Sequence, residues 1–152
     1  MGIGKNVAET FSARLRRSPG DLDLLEPMMY WDVTFWDFGL LCDDKMEALE
    51  SEIHQILFPN IQVLWVDYCA KLGLNPERDK PDKKWRNATC DVQAFWSHAV
   101  RKRDVVVTSD RNFHADEKKR RLLSRAGSRI ETPEGAALRL RDAQSIKRCP
   151  EP

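Results

Sequence analysis

Two aspartates, Asp91 and Asp110, have the surroundings in this sequence that best suit chemistry. Asp91 lies in a stretch of helical periodicity, and Asp110 closely follows the valine run 105–107. Open α/β sheets place ligands at the carboxyl ends of their strands. Two carboxylates brought together repel unless a cation lies between them, and Mg²⁺ or Mn²⁺ prefers oxygen ligands. The pair predicts a divalent-metal site, where an activated water can attack a phosphodiester.

The same two residues have an ordinary structural interpretation. Asp110 can simply cap a turn, with Thr108 and Ser109 as its neighbours, and Asp91 can be a solvated helix residue. The alternative zinc site, built from histidines and Cys90, lacks the usual ligand spacing. No phosphate-binding glycine loop or nucleophile motif is present in the sequence. The metal and capping interpretations both stay open.

A basic segment surrounds the aspartates. Residues 78–121 carry 13 basic and 7 acidic side chains, whereas residues 1–77 carry 6 and 13. The candidate phosphate-binding residues are Lys83, Lys84, Arg86 and Arg111. Trp85 among them suits stacking on single-stranded nucleic acid, and the alternatives are core packing for Trp85 and solvated helix surfaces for the cations.

The first half of the chain is expected to supply helices and further acids. Helices are predicted over 3–17 and 44–58, the second with a capping box from Asp44. Residues 22–41 are largely apolar and contain Asp32 and Asp37. Glu50 lies beside the apolar stripe of the second helix, where the alternative is a solvated acidic face.

The middle of the chain is predicted to alternate between strand, helix and loop. Residues 61–66 are a strand candidate, 67–72 a short helix ended by Gly73, and 74–84 a surface loop. A helix over 88–101 is expected to begin at Asn87 as its N-cap.

The helix over 88–101, a short turn, a buried strand and an exposed loop together make half of a βαβ unit. The valines in 103–113 predict a strand that is buried on both faces. A helix over 115–126 closed by Gly127, an edge strand over 128–131 and a last helix opened by Thr132 and Pro133 follow. Ala136, Ala137, Leu138 and Leu140 are expected to pack that helix.

Length and composition predict one soluble domain. The 152 residues suit a domain over 1–143 with a tail over 144–152. No apolar run spans a bilayer and no signal peptide is visible, so a cytoplasmic protein is expected. Its cysteines are expected to be reduced, three of them buried and Cys149 in the tail.

Three blocks of sequence resemble a PIN domain, the metal-dependent nuclease fold of many toxin ribonucleases and RNA-processing enzymes. They are residues 90–94 (CDVQA), 104–113 (DVVVTSDRNF) and 130–134 (IETPE) within the span 87–137. The resemblance implies an α/β fold with a short, mainly parallel sheet flanked by helices in a Rossmann-like three-layer arrangement. Where many members have a further acid after the Asp110 position, this chain has Asn112.

By that resemblance, Asp91 and Asp110 are catalytic and hold Mg²⁺ or Mn²⁺. Glu50 is the first candidate for another ligand, with Glu52 and Asp67 behind it, and Asp32 or Asp37 would replace the family's first acid. The implied function is endonucleolytic cleavage of single-stranded RNA.

Two other functions stay open. One is a catalytically inactive PIN-like module that binds RNA or a protein partner. The other is a small regulatory or antitoxin-paired protein in which aromatic residues 28–38 form the interface. A homodimer is also compatible with the sequence, and no membrane partner is expected.

Overall fold

A computed structural model describes Met28 and residues 40–147, with side-chain environments up to Ala143. The predicted helix over 3–17, the acids Asp32 and Asp37, and the end of the tail lie outside the described residues. Most of the aromatic run 28–38 lies outside them too.

The described chain is a mixture of helices and short strands. In order these are α1 (Asp44–Leu57), α2 (Trp65–Leu72), α3 (Lys83–Val100), β1 (Val105–Val107), α4 (Arg111–His114), α5 (Asp116–Ala126), β2 (Arg129–Glu131) and α6 (Pro133–Lys147). The two strands form a parallel sheet in which Val106 pairs with Ile130. A parallel pair needs a crossover connection, and α4 and α5 supply it. The coarse α/β prediction, a short parallel sheet with flanking helices, is confirmed.

The core is built on the contact between α1 and α3. Ile53, Ile56 and Leu57 of α1 are buried, and they pack in one cluster with the buried residues Val92, Phe95 and Trp96 of α3. This is the apolar stripe that the sequence predicts. The helix begins at Asp44 as predicted, but its N-cap is Asp43, not Asp44, and the Asp43 carboxylate accepts from the Met46 N–H at 2.9 Å.

Helix α3 begins earlier than predicted. Asp82, rather than Asn87, is the N-cap, and its carboxylate accepts from the Trp85 N–H at 2.7 Å. This bond lowers the pKa of Asp82. The helix has an additional turn at its start because burial of Trp85 against Ile61 and Tyr68 stabilises the helical conformation there.

The predicted strand over 61–66 is wrong. Residues 61–64 form turns and bends, and Trp65 already belongs to α2, which ends at Gly73 in the left-handed conformation (φ 69°) as predicted. The apolar residues bury themselves locally, since Ile61 packs with Tyr68 and Trp85 in a second, smaller core cluster.

The valine strand is present but is not buried on both faces. Val106 is partly buried, whereas Val105 is 37% and Val107 is 51% exposed. In a strand, alternate side chains point to opposite faces, so only the face carrying Val106 and Ile130 packs on the core. The prediction of a strand buried on both faces is wrong because, within the described residues, one face of the sheet is left partly exposed.

The last helix also differs in its packing. Thr132 caps it as predicted, with its hydroxyl oxygen accepting from the Gly135 N–H at 3.1 Å. Leu138 and Leu140, expected to pack, are 58% and 65% exposed. The helix continues to Lys147, four residues into the segment predicted as tail.

Of the described cysteines only Cys69 is buried, with Cys42 partly buried and Cys90 exposed, so the prediction of three buried cysteines is wrong. None of the helices within the described residues has both the length and the apolar character that a bilayer crossing requires.

Candidate carboxylate site at the end of the parallel sheet

Asp110 lies in the loop that leaves β1 and begins the short helix α4. Its Oδ1 accepts from the Asn112 N–H at 2.8 Å, and its own N–H donates to the Thr108 hydroxyl at 3.1 Å. The residue is exposed. The capping interpretation is therefore correct for Asp110, and capping leaves the carboxylate at the surface beside the end of the strand.

Asp91 lies in the middle of α3 and faces that loop. Its side chain is partly buried, so the solvated alternative does not hold. The pKa of Asp91 is raised, first by burial and then by the negative charge of Asp110. The two carboxylates, 19 positions apart in sequence, therefore lie close enough for their charges to interact.

Glu50 is buried within the α1 stripe, only 2% exposed, so its solvated alternative is wrong. The other acids proposed from this half are elsewhere: Glu52 is paired with Arg125 at 3.1 Å, and Asp67 is exposed in the first turn of α2. Throughout the part of the chain that the structure describes, no group of three or more His, Cys, Asp or Glu side chains is placed to hold a metal ion. This also leaves the zinc alternative without support.

Two side chains that sequence reasoning did not single out as functional hold the Asp110 loop in place. The amide of Asn112 donates to the carbonyl oxygen of Leu57 at 3.3 Å, and the Lys118 ammonium donates to the same oxygen at 2.7 Å. Lys118 also bonds the Asn112 side-chain oxygen. Leu57 ends α1, so its carbonyl lacks a helical partner and accepts from outside. The loop is thereby tied to α1, which packs on α3.

A histidine supports the loop from within. The His114 Nε2 lies 2.8 Å from the carbonyl oxygen of Thr108. Because a carbonyl only accepts, Nε2 is the protonated ring nitrogen. The bond joins the two ends of the segment that contains Asp110, and no local sequence signal indicates it.

The predicted cations lie close to the carboxylates along the chain. Lys83, Lys84 and Arg86 are exposed in the first turns of α3, and Arg111 is exposed directly after Asp110. Lys84 precedes Asp91 by seven residues, which is two helical turns or ~10 Å along one face. Trp85 is only 2% exposed, and its ring N–H donates to the Gln62 carbonyl at 3.1 Å. The core interpretation of Trp85 is confirmed.

Mg²⁺ usually keeps several waters and binds through one or two carboxylates together with substrate phosphates. Asp91 and Asp110 are the residues of this site that could hold such an ion.

Comparison with protein-family models, curated proteins and solved structures yields no match for this chain.

Proposed function

We propose that this protein is a PIN-like, metal-dependent phosphodiesterase that cleaves single-stranded RNA, with Asp91 and Asp110 as the carboxylates of its active site. One observation carries the proposal: burial raises the pKa of Asp91, and the charge of Asp110 raises it further. A like-charge pair costs free energy at neutral pH, and a divalent cation between the carboxylates would reverse the sign of that interaction.

The chain's own residues then have distinct roles. A bound Mg²⁺ or Mn²⁺ would supply Lewis-acid chemistry and an activated water. Asp91 would hold it from the partly buried side and Asp110 from the exposed side, where substrate can enter. The exposed Arg111 and Lys84 would neutralise the phosphates that flank the scissile bond. Asn112 and Lys118 position Asp110 through their bonds to Leu57.

The test is Asp110→Asn, because asparagine caps helices as well as aspartate does. The variant should therefore fold normally and lose the ionic ligand. Cleavage of a fluorophore-labelled single-stranded oligoribonucleotide is measured with Mg²⁺ or Mn²⁺ and with chelator. We expect Asp110→Asn and Asp91→Asn to lower kcat/KM at least 100-fold, while Asp142→Asn, an exposed carboxylate on α6, leaves it unchanged.

A non-catalytic module that binds RNA or a protein is the second candidate. The observation in its favour is that the described residues bring together no group of three potential ligands. It predicts RNA binding that Lys84→Gln and Arg111→Gln weaken, with no metal-dependent cleavage. Cleavage by wild type that Asp110→Asn does not change would reject the proposed active site.

A further inference from the structure

A cavity lies at the other end of the sheet from Asp110. It is a cavity of about 620 Å³ between the C-terminal ends of α3 and α5 and the starts of β1 and β2. Both strands begin there and run away from it, so it is separated from the carboxylate site by the length of β1, ~10 Å. The volume is in the range of pockets that hold one small ligand.

The walls of this cavity are basic. Four cationic side chains line it: Lys102, Arg103, Arg125 and Arg129. One carboxylate, that of Asp104, is also in the lining. Each helix C-terminus contributes about half a negative charge, which cations in the last turn normally offset. Here the four positive charges exceed the combined negative charge of Asp104 and the two helix C-termini. Arg125 pairs through its Nε with Glu52 at 3.1 Å, which offsets part of its charge.

Ser128 lines the cavity, and its Oγ is buried and makes no hydrogen bond among the described residues. A buried hydroxyl without a partner costs free energy. A turn of the Ser128 side chain toward the cavity would let its O–H donate to a bound oxyanion.

Lys102 occupies a position that favours glycine. It has a φ of 50°, in the left-handed region. Its N–H donates to the Ala99 carbonyl, and the Arg103 N–H donates to the His98 carbonyl, both at 3.1 Å. This is the Schellman end of a helix, in which the left-handed residue is usually glycine. A lysine there is strained, and it places an ammonium at the cavity.

We propose that this cavity binds a small molecule that carries two or more phosphate groups. Arginine forks match phosphate oxygens in pairs, and several cations on converging elements suit a ligand with several negative charges. The site uses none of the residues of the carboxylate site, so it stands independently of the RNA-cleavage proposal.

The decisive variant is Lys102→Gly, because it should change stability and binding in opposite directions. Glycine relieves the left-handed strain, so Tm should rise by a few degrees. The loss of one cation should raise the Kd for inorganic tripolyphosphate about tenfold in calorimetry at low salt. A Kd that stays the same in this more stable variant would overturn the proposal.

Arg129→Gln and Arg120→Gln form the matched pair. Arg129 lines the cavity, whereas Arg120 is exposed on α5 and pairs with Glu117. We expect only Arg129→Gln to weaken tripolyphosphate binding, again about tenfold. Equal weakening by both variants would mean a general charge effect and would overturn the site.

A single-stranded oligoribonucleotide without terminal phosphates is the second probe. Its affinity should be the same for wild type and Lys102→Gly. If that affinity falls in parallel with the affinity for tripolyphosphate, the cavity is part of a nucleic-acid surface and the small-ligand assignment is rejected. Loss of RNA cleavage in Asp110→Asn reports only on the other site.

Discussion

The carboxylates of Asp91 and Asp110 interact between the middle of α3 and the loop after β1, and the charge of Asp110 adds to the effect of burial in raising the pKa of Asp91. The chain reverses direction between α3 and β1, which brings these residues together. Asp110 is held there by its cap to Asn112 and by the bonds from Asn112 and Lys118 to Leu57. The packing of α1, α3 and the sheet therefore maintains the interaction between the Asp91 and Asp110 carboxylates.

Asp110→Asn should lower the pKa of Asp91, because it removes the neighbouring negative charge and leaves burial unchanged. Carboxyl NMR titration of Asp91 in both proteins measures this. A raised carboxyl pKa means that ionisation opposes folding as pH rises, so the variant should be at least as stable as wild type at pH 7. An unchanged Asp91 titration would show that the two charges do not interact.

Asp110→Ala should destabilise the protein where Asp110→Asn does not. Alanine removes the oxygen that accepts from the Asn112 N–H. Loss of an N-cap costs about 1 kcal/mol of the free energy of unfolding, measured by urea denaturation. Equal stability of the two variants would mean that the cap contributes nothing.

Lys118→Met should lower the free energy of unfolding by about 2 kcal/mol. It removes the charged donor to the Leu57 carbonyl oxygen and to the Asn112 side chain. The same change one residue along, Lys119→Met, is the control. Urea denaturation gives the stabilities, and amide exchange at Asn112 should increase in Lys118→Met alone. Similar effects of both variants would exclude a specific role for Lys118.

Acid should destabilise the protein through two buried histidines. Burial lowers the pKa of His54 below 6.5. Burial is also the largest cause that lowers the pKa of His98, although nearby Asp104 acts in the opposite direction there. Below pH 6.5 the unfolded chain therefore binds more protons than the folded one, and stability falls as pH falls. Above that pH their contribution is fully present.

The variant His54→Leu distinguishes the loss of stability in acid that histidine causes from any loss that carboxylates cause. Neither ring nitrogen of His54 has a hydrogen-bond partner among the residues described, so leucine should be tolerated. The stability of the variant relative to wild type should be greater at pH 5 than at pH 8, because only wild type must keep His54 unprotonated in the folded state. Gln55→Leu, on the exposed side of α1, should show no such difference. A pH-independent effect of His54→Leu would contradict the assignment.

Trp85→Phe should weaken the fold without weakening RNA binding. Trp85 is buried and its indole N–H bonds the Gln62 carbonyl, so its loss affects the smaller core cluster. Trp85→Ala, with its larger cavity, should cost about 3–5 kcal/mol. Fluorescence anisotropy with a labelled oligoribonucleotide should give the wild-type Kd for folded Trp85→Phe and a higher Kd for Lys84→Gln. A selective loss in Trp85→Phe would instead indicate base stacking.

Several features of this protein follow from the sequence by itself. Gly73 and Gly127 end α2 and α5, and Thr132 caps α6, because a left-handed φ or a capping oxygen is a local requirement that one residue type meets. The apolar stripe of α1 is equally local. The order of helix, turn and strand identified Asp91 and Asp110 as the candidate pair.

Only the tertiary structure decided which surfaces are covered. Burial depends on neighbours that are distant in sequence. For this reason Glu50 is buried, Val105 and Val107 are exposed, and α3 begins at the cap Asp82 so that Trp85 can reach Ile61 and Tyr68. The cavity around Lys102 forms where two helix ends and two strand starts meet, which no single stretch of sequence contains.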